Sequence, residues 1–346
     1  MSQRWGGSSL RSLRFITTAR PPKARRGAGP LPLGRHDGVR WIVTLVISNP
    51  LMDERGRAVY TPAMAIGVFD TGIGGLSIHN ALVTRLPRAD FVYLADQANT
   101  PYGGRSGEEI VDLTRAGCER LFEAGCDLII LACNTAAAVA LRRLQQTWLP
   151  DYRRRLGRPV NVLGIIVPTI EAATGLPWEH EADRRGEKVE KLDVLGIFST
   201  PATARSRVYE IEIDKRRQDV AVFSEPCPDL AHLIELDAPQ ERLRSVIEAH
   251  VATLTRRIGR PPDRAILGCT HYEITADLFR SALPTNTPLI HQPAATANAI
   301  EAYLARHPEF DTGSDGGRRF LTTGRPGSQN GLAERFWGRP LAFDAI

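Results

Sequence analysis

Two short stretches hold the residues best suited to chemistry. Leu128-Ile129-Ile130-Leu131-Ala132-Cys133-Asn134-Thr135 and Ala265-Ile266-Leu267-Gly268-Cys269-Thr270-His271 each run from an apolar segment into a cysteine and then into small polar residues. A short continuous apolar run reads as a strand buried on both faces. In open α/β sheets, ligands bind at the carboxyl ends of strands, where a following helix presents unpaired N–H groups and a positive dipole end. A thiol in that position is expected to have a lowered pKa. With one such cysteine in each half of the chain, the two could face a small molecule from opposite sides if the halves close. A lone buried cysteine reads as a small inert hydrophobe. The repeated unit is what points to chemistry: a paired acid and base, or, with His271 two residues beyond Cys269, nucleophilic acyl transfer.

Other polar residues gather at the same strand ends. Asp70-Thr71-Gly72-Ile73-Gly74-Gly75 closes the first convincing strand with a carboxylate, a hydroxyl and glycines that allow close backbone approach. A strand-to-helix turn with Asp70 as cap explains the same residues equally well. The spacing does not supply a G-x-G-x-x-G dinucleotide loop. Asp96-Gln97-Ala98-Asn99-Thr100-Pro101-Tyr102-Gly103-Gly104 follows the second strand as a polar loop whose amides could bind a carboxylate. Glu235 lies on a helix with an apolar face, and by that position it is expected to be a surface acid. Asp70-Thr71-Gly72 and Asp311-Thr312-Gly313 both spell the D-T-G of aspartic proteases, but the second sits in a Gly-rich loop and the chain alternates helix with strand, so that class is rejected.

Positioning such groups requires a particular scaffold. The pattern predicts strands over 66–69, 92–94, 128–132, 162–167, 194–198, 220–223, 265–267, 289–291 and 319–323. Helices are expected over 76–85, 108–124, 136–146, 202–209, 228–236, 239–257, 274–283, 296–306 and 332–337. Alternation of this kind means an α/β fold: parallel sheets with helices on both faces, here in two similar units meeting near residue 167. The charged, turn-rich stretch 177–193 reads as a surface insertion.

The 346 residues, 42% of them hydrophobic, suffice for two or three domains. No apolar run approaches membrane-spanning length, the longest candidate being 41–47. Five cysteines without a C-x-x-C argue against a disulfide framework or zinc site and for a reducing compartment, hence the cytoplasm. The net charge of +5 suggests nucleic acid until it is located: residues 1–64 carry 11 Lys and Arg against 3 Asp and Glu, the remainder 33 against 36. No aromatic platform accompanies the basic residues, so no nucleic-acid partner is expected. Residues 1–40 have the composition of a disordered segment and mildly resemble a transit peptide. Met64, directly before the first strand, makes a misassigned upstream start the favoured explanation.

Phe69-Asp70-Thr71-Gly72-Ile73-Gly74-Gly75-Leu76, Pro101-Tyr102-Gly103, Ala132-Cys133-Asn134-Thr135-Ala136 and Leu267-Gly268-Cys269-Thr270-His271-Tyr272, in that order, resemble the four signatures of the cofactor-independent aspartate/glutamate racemases, and within them the glutamate-racemising members. Phe320-Leu321-Thr322-Thr323-Gly324 and Ala333-Glu334-Arg335-Phe336 resemble that family's C-terminal end, so the likeness spans roughly 65 to 340. The resemblance implies an active site in the cleft between two α/β domains. The expected division is a disordered basic extension over 1–63, domains over 64–166 and 167–292, and a segment over 293–346 packing back on the first domain. It implies interconversion of L- and D-glutamate by two-thiol proton transfer at the α-carbon, supplying D-glutamate for peptidoglycan. It assigns Cys133 and Cys269 as the thiols and Asp70 and His271 as their auxiliaries, and admits Glu235 as another. Thr71, Tyr102, Gly103, Asn134, Thr135 and Thr270 become substrate contacts, with Asp70 and His271 shared. No metal or cofactor is expected, and a homodimer is admitted.

The chain departs from the family at three places. Asp70-Thr71 replaces Asp-Ser, Val167-Pro168-Thr169 replaces Glu-Pro-Gly, and His291-Gln292-Pro293 replaces an Asp-Ser. These bear on substrate preference and leave open a related aspartate or hydantoin racemase, or a binding paralogue without turnover. A pyridoxal-dependent racemase needs a Schiff-base lysine. The four lysines, Lys23, Lys188, Lys191 and Lys215, all lie away from the predicted strand ends.

Overall fold

The computed structural model describes residues 65–177, 192–312 and 316–346, together with two short antiparallel strands upstream, β1 (Leu51–Met52) and β2 (Ala58–Val59). The rest of the expected basic extension, the apolar run 41–47 and most of the charged insertion (178–191) lie outside the described residues.

The first sheet has six strands: β3 (Ala65–Asp70), β4 (Phe91–Ala95), β5 (Cys126–Leu131), β6 (Asn161–Gly164), β11 (Arg318–Thr322) and β12 (Asp344–Ala345), in the order β12-β11-β4-β3-β5-β6. The second has four: β7 (Asp193–Ser199), β8 (Val220–Pro226), β9 (Arg264–Gly268) and β10 (Leu289–Ile290), in the order β10-β9-β7-β8. Every pairing within both sheets is parallel, the arrangement expected when strands alternate with helices.

Burial follows from that layering. All six residues of β3 and of β5 are buried, because helices cover both faces of the sheet. The helix Gly107–Glu123 begins in a reciprocal capping box between Ser106 and Glu109. It lies so close to β3 that a Cβ on Gly117 would stand 2.2 Å from the Phe69 ring, a contact only glycine allows. The C-terminal residues return to the first sheet: β11 pairs with β4, and the helix Gln292–Arg306 packs on the helix Leu76–Arg85.

Some sequence expectations change. The apolar run 162–167 is not one strand: β6 ends at Gly164 and a helix covers Ile166–Thr174. Pro168 lies in its first turn, where an absent N–H costs no hydrogen bond. The helix expected over 136–146 is broken into Asn134–Val139 and Leu141–Arg143, followed by a π-helical turn over Leu144–Trp148. The helix expected over 202–209 divides at Arg207, whose φ of 54° is left-handed. Among the described residues no helix is long and apolar enough to cross a membrane.

Candidate active site

Register brings the polar residues to two sheet edges. Asp70 pairs with Ala95, and Phe69 pairs with Leu131, so β3, β4 and β5 run out together into Thr71, Asp96 and Cys133. In the second sheet Ser199 pairs with both Pro226 and Gly268, so Thr200, Cys227 and Cys269 leave side by side. Hydrogen bonds join the two edges. Thr270 Oγ1 donates to Asp70 Oδ2 at 3.2 Å, and Thr135 and Thr200 share a hydroxyl contact of 3.0 Å. Cys133 and Cys269 are each 7% exposed, so both side chains are largely withdrawn from bulk water.

The two thiols have different surroundings. Cys133 precedes the helix Asn134–Val139, and its Sγ accepts from the Ala136 N–H at 3.5 Å and meets Thr71 Oγ1 at 3.7 Å. Burial first, then the nearby Asp70 carboxylate, pushes this thiol up to about 12. That corrects the expectation of a lowered pKa: one weak N–H contact and a six-residue helix do not offset desolvation of a thiolate. Cys269 is followed by a 3-10 turn over Thr270–Thr275, and its Sγ lies 3.9 Å from His271 Nδ1.

His271 is in turn backed by Glu235, whose Oε1 stands 3.0 Å from Nε2 but off the ring N–H direction, so the contact is charge against charge rather than a directed hydrogen bond. Burial alone pulls His271 down, but Cys269 and Glu235 more than reverse it and hold it well above 6.5. Glu235 is therefore no surface acid. Its side chain is 13% exposed because the helix Leu230–Glu235 turns its last residue toward the second cysteine's loop.

Asp70 is fully buried, with Oδ1 accepting from the Gly72 N–H at 2.8 Å. Burial raises its pKa against the lowering influence of His271. The Gly72–Gly75 loop is tight by necessity: a Cβ on Gly74 would stand 2.6 Å from both His271 Nδ1 and Thr270 Oγ1, and one on Gly75 2.7 Å from Asp70. Tyr102 donates to Asp96 Oδ2 at 2.6 Å, and burial beside that carboxylate raises the phenol. Gly103 lies against Thr200 of the opposite edge. Among the described residues no group of three or more His, Cys, Asp or Glu is placed to hold a metal.

Sequence reasoning missed the residues that hold Asn134. Its amide faces that of Gln292 reciprocally, Nδ2 donating to Oε1 at 2.8 Å and Oδ1 accepting from Nε2 at 3.0 Å. Tyr209 OH donates to the same Oδ1 at 2.9 Å, and Gln292 Nε2 reaches Thr169 Oγ1 at 3.0 Å. Thr203 contacts Thr135 at 3.4 Å. The one signal for any of these was the departure from the family pattern at Thr169 and Gln292.

Comparison with known proteins meets this geometry at its centre: the Asp/Glu/hydantoin racemase family model matches residues 77–300, a stretch containing both cysteines, His271 and Gln292. The chain belongs to this family. It is 77% identical over 281 residues to a glutamate racemase of Phenylobacterium zucineum, covering 81% of this chain and 99% of that protein. It is 75% identical to one from a Caulobacter strain, K31, covering 82% and 100%. Two crystal structures share the racemase fold. A Bacillus anthracis glutamate racemase has a TM-score of 0.70 at 27% identity, with 82% of this chain and 97% of that one covered. A Francisella tularensis glutamate racemase in complex with D-glutamate has a TM-score of 0.67 at 25% identity, with the same coverage. Like its family, the chain is an isomerase.

Proposed function

We propose that this chain interconverts L- and D-glutamate without a cofactor, Cys133 and Cys269 acting as the two proton carriers. The observation that carries the reading is that two buried thiols leave the carboxyl edges of separate sheets that hydrogen bonds join, each with its own polar partners. Inversion at an α-carbon needs a proton removed from one face and another delivered to the opposite face. One sulfur, as thiolate, takes the α-proton; the other, as thiol, gives its proton to the carbanion, so one thiolate and one thiol remain with roles exchanged. His271, held protonated by Cys269 and Glu235 together, is placed to neutralise negative charge on Cys269. Asp70 stands in the corresponding neighbourhood of Cys133. Asn134, Thr135, Thr270 and loop amides supply fixed donors for the carboxylate on which carbanion charge spreads, in a site shielded from water.

Glutamate is the substrate favoured by the relatives' activity, and the D-glutamate formed would serve peptidoglycan synthesis in the cytoplasm. The test is incubation of the purified chain with D- and L-glutamate and D- and L-aspartate, followed by chiral chromatography. Racemisation of both glutamate enantiomers supports the reading. Turnover of aspartate alone, or of neither amino acid, contradicts it.

A further inference from the structure

Two of the three departures from the family pattern meet each other in the fold. Thr169 lies on the helix Ile166–Thr174, and Gln292 opens the helix Gln292–Arg306; their side chains touch at 3.0 Å, and both are buried. Neither belongs to the set of groups that could carry a proton, so their role must run through what they hold, which is Asn134.

The polarity of this chain of contacts is determined at its far end. Thr169 spends its hydroxyl hydrogen on the Ile165 carbonyl one turn earlier, at 2.7 Å. Toward Gln292 its oxygen can therefore only accept, so Gln292 must present Nε2 to it. The Gln292 carbonyl then faces Asn134, which must answer with its own N–H at 2.8 Å. Asn134 Oδ1 accepts from Tyr209 OH at 2.9 Å and from Gln292 Nε2 at 3.0 Å, the hydrogen of Gln292 that does not go to Thr169 being shared between this oxygen and the Tyr209 oxygen at 3.2 Å. Counting capacity, an amide oxygen accepts twice and an amide nitrogen donates twice, so Asn134 retains one unspent group, a single N–H hydrogen. Reversing the amide would set carbonyl against carbonyl and leave buried groups unpaired, at a cost of about 1–3 kcal/mol each.

We propose that Thr169 and Gln292 are positioning residues that fix the Asn134 amide so that it offers the substrate a donor and never an acceptor, receiving a carboxylate oxygen at that point and rejecting an amide NH2 there. This rests on the racemase reading above for Asn134 as a substrate contact. The polarity itself follows from the hydrogen bonds alone. Gln292 needs an acceptor at its outer end, and Thr169 supplies it.

The test compares wild type, Thr169→Val, Thr169→Ser and Gln292→Met, the last matching glutamine in length without its amide. The readouts are KM and kcat for both glutamate enantiomers and inhibition constants for the two monoamides, glutamine and isoglutamine, which distinguish the side-chain carboxylate from the α-carboxylate. Thr169→Val and Gln292→Met should raise KM more than they lower kcat and weaken discrimination against one monoamide about tenfold, the effect of losing ~1.4 kcal/mol of preference. Thr169→Ser, which keeps the acceptor, should restore both. Unchanged discrimination in Thr169→Val and Gln292→Met, or a serine variant no better than valine, overturns the proposal. A wild type that fails to racemise glutamate would instead overturn the functional reading.

Discussion

Gly74 is a point at which the two sheet edges approach tightly, and a single methyl group there tests whether that approach matters. Its backbone is outside the left-handed region, so alanine is conformationally acceptable and Gly74→Ala probes space alone. The new Cβ would stand 2.6 Å from His271 Nδ1 and Thr270 Oγ1. Ordinary contact begins near ~3.5 Å, so the loop carrying Cys269 must retreat by roughly 0.9 Å. Both partners are buried, His271 by 95% and Thr270 by 96% of their surface, given exposures of 5% and 4%, and neither can swing into solvent. Overpacking of this kind costs about 1–3 kcal/mol. The larger effect is on rate: a displacement near 1 Å between reacting groups costs roughly 10²-fold. The assay is racemisation kcat by chiral chromatography together with urea unfolding. Gly104→Ala is the control, since a Cβ there meets nothing within 4 Å. A Gly74→Ala protein with the kcat and unfolding midpoint of wild type would refute the reasoning.

Three further predictions follow from the electrostatics. Because burial pushes Cys133 up to about 12, its thiolate at pH 7 is roughly 10³-fold scarcer than that of a free cysteine. Mass spectrometry of the iodoacetamide-treated, ligand-free protein should show that peptide reacting far more slowly than a free thiol, and comparable rates would contradict it. His271 has a folded pKa raised above its unfolded 6.5, so its contribution to stability is complete below that pH and fades as pH rises through the folded value. Glu235→Gln should therefore destabilise more at pH 6 than at pH 9, and urea titrations giving the reverse order would refute the pairing. His79 is fully buried among Phe91, Tyr93, Phe320 and Trp337 with neither ring nitrogen partnered; burial, then Arg318 and Arg339, pulls it down to about 3. Its stabilising share is present above 6.5 and lost as pH falls, so a His79→Phe protein should gain on wild type by about 1.4 kcal/mol per pH unit below that value. A pH-independent difference in unfolding free energy would exclude it.

What the sequence makes legible follows from period and burial. β3, β5 and β9 each carry an unbroken apolar run, Ile66–Phe69, Leu128–Leu131 and Ala265–Leu267, because both faces are covered there, and such runs stand out without any partner being known. The helix Leu76–Arg85 is equally plain from its spacing. The run from Ile165 to Val167 misleads because an apolar segment entering a helix under a covering layer looks the same as a buried strand. Glu235 misleads because its neighbours decide its environment: nothing in Leu230–Glu235 says that a histidine from a distant loop stands over its last residue. Tyr209 is invisible for the same reason, and Gln292 stands out only as a departure whose partner cannot be read, their hydrogen bonds to Asn134 spanning 75 and 158 positions. The lowered thiol pKa expected of a strand-end cysteine fails at Cys133 because depth of burial is a property of both sheets together.

The central claim is that two different sulfurs serve the two faces of one carbon, and the isotope content of the product tests it most directly. In deuterated water, wild type acting on L-glutamate should yield D-glutamate carrying solvent deuterium at the α-carbon from the first turnover, because the donor of the new proton is not the acceptor of the old one. Cys133→Ala and Cys269→Ala should each keep the fold by circular dichroism and form no opposite enantiomer. Product that retains the substrate's own proton, or either variant racemising at a near-normal rate, would contradict the two-thiol account.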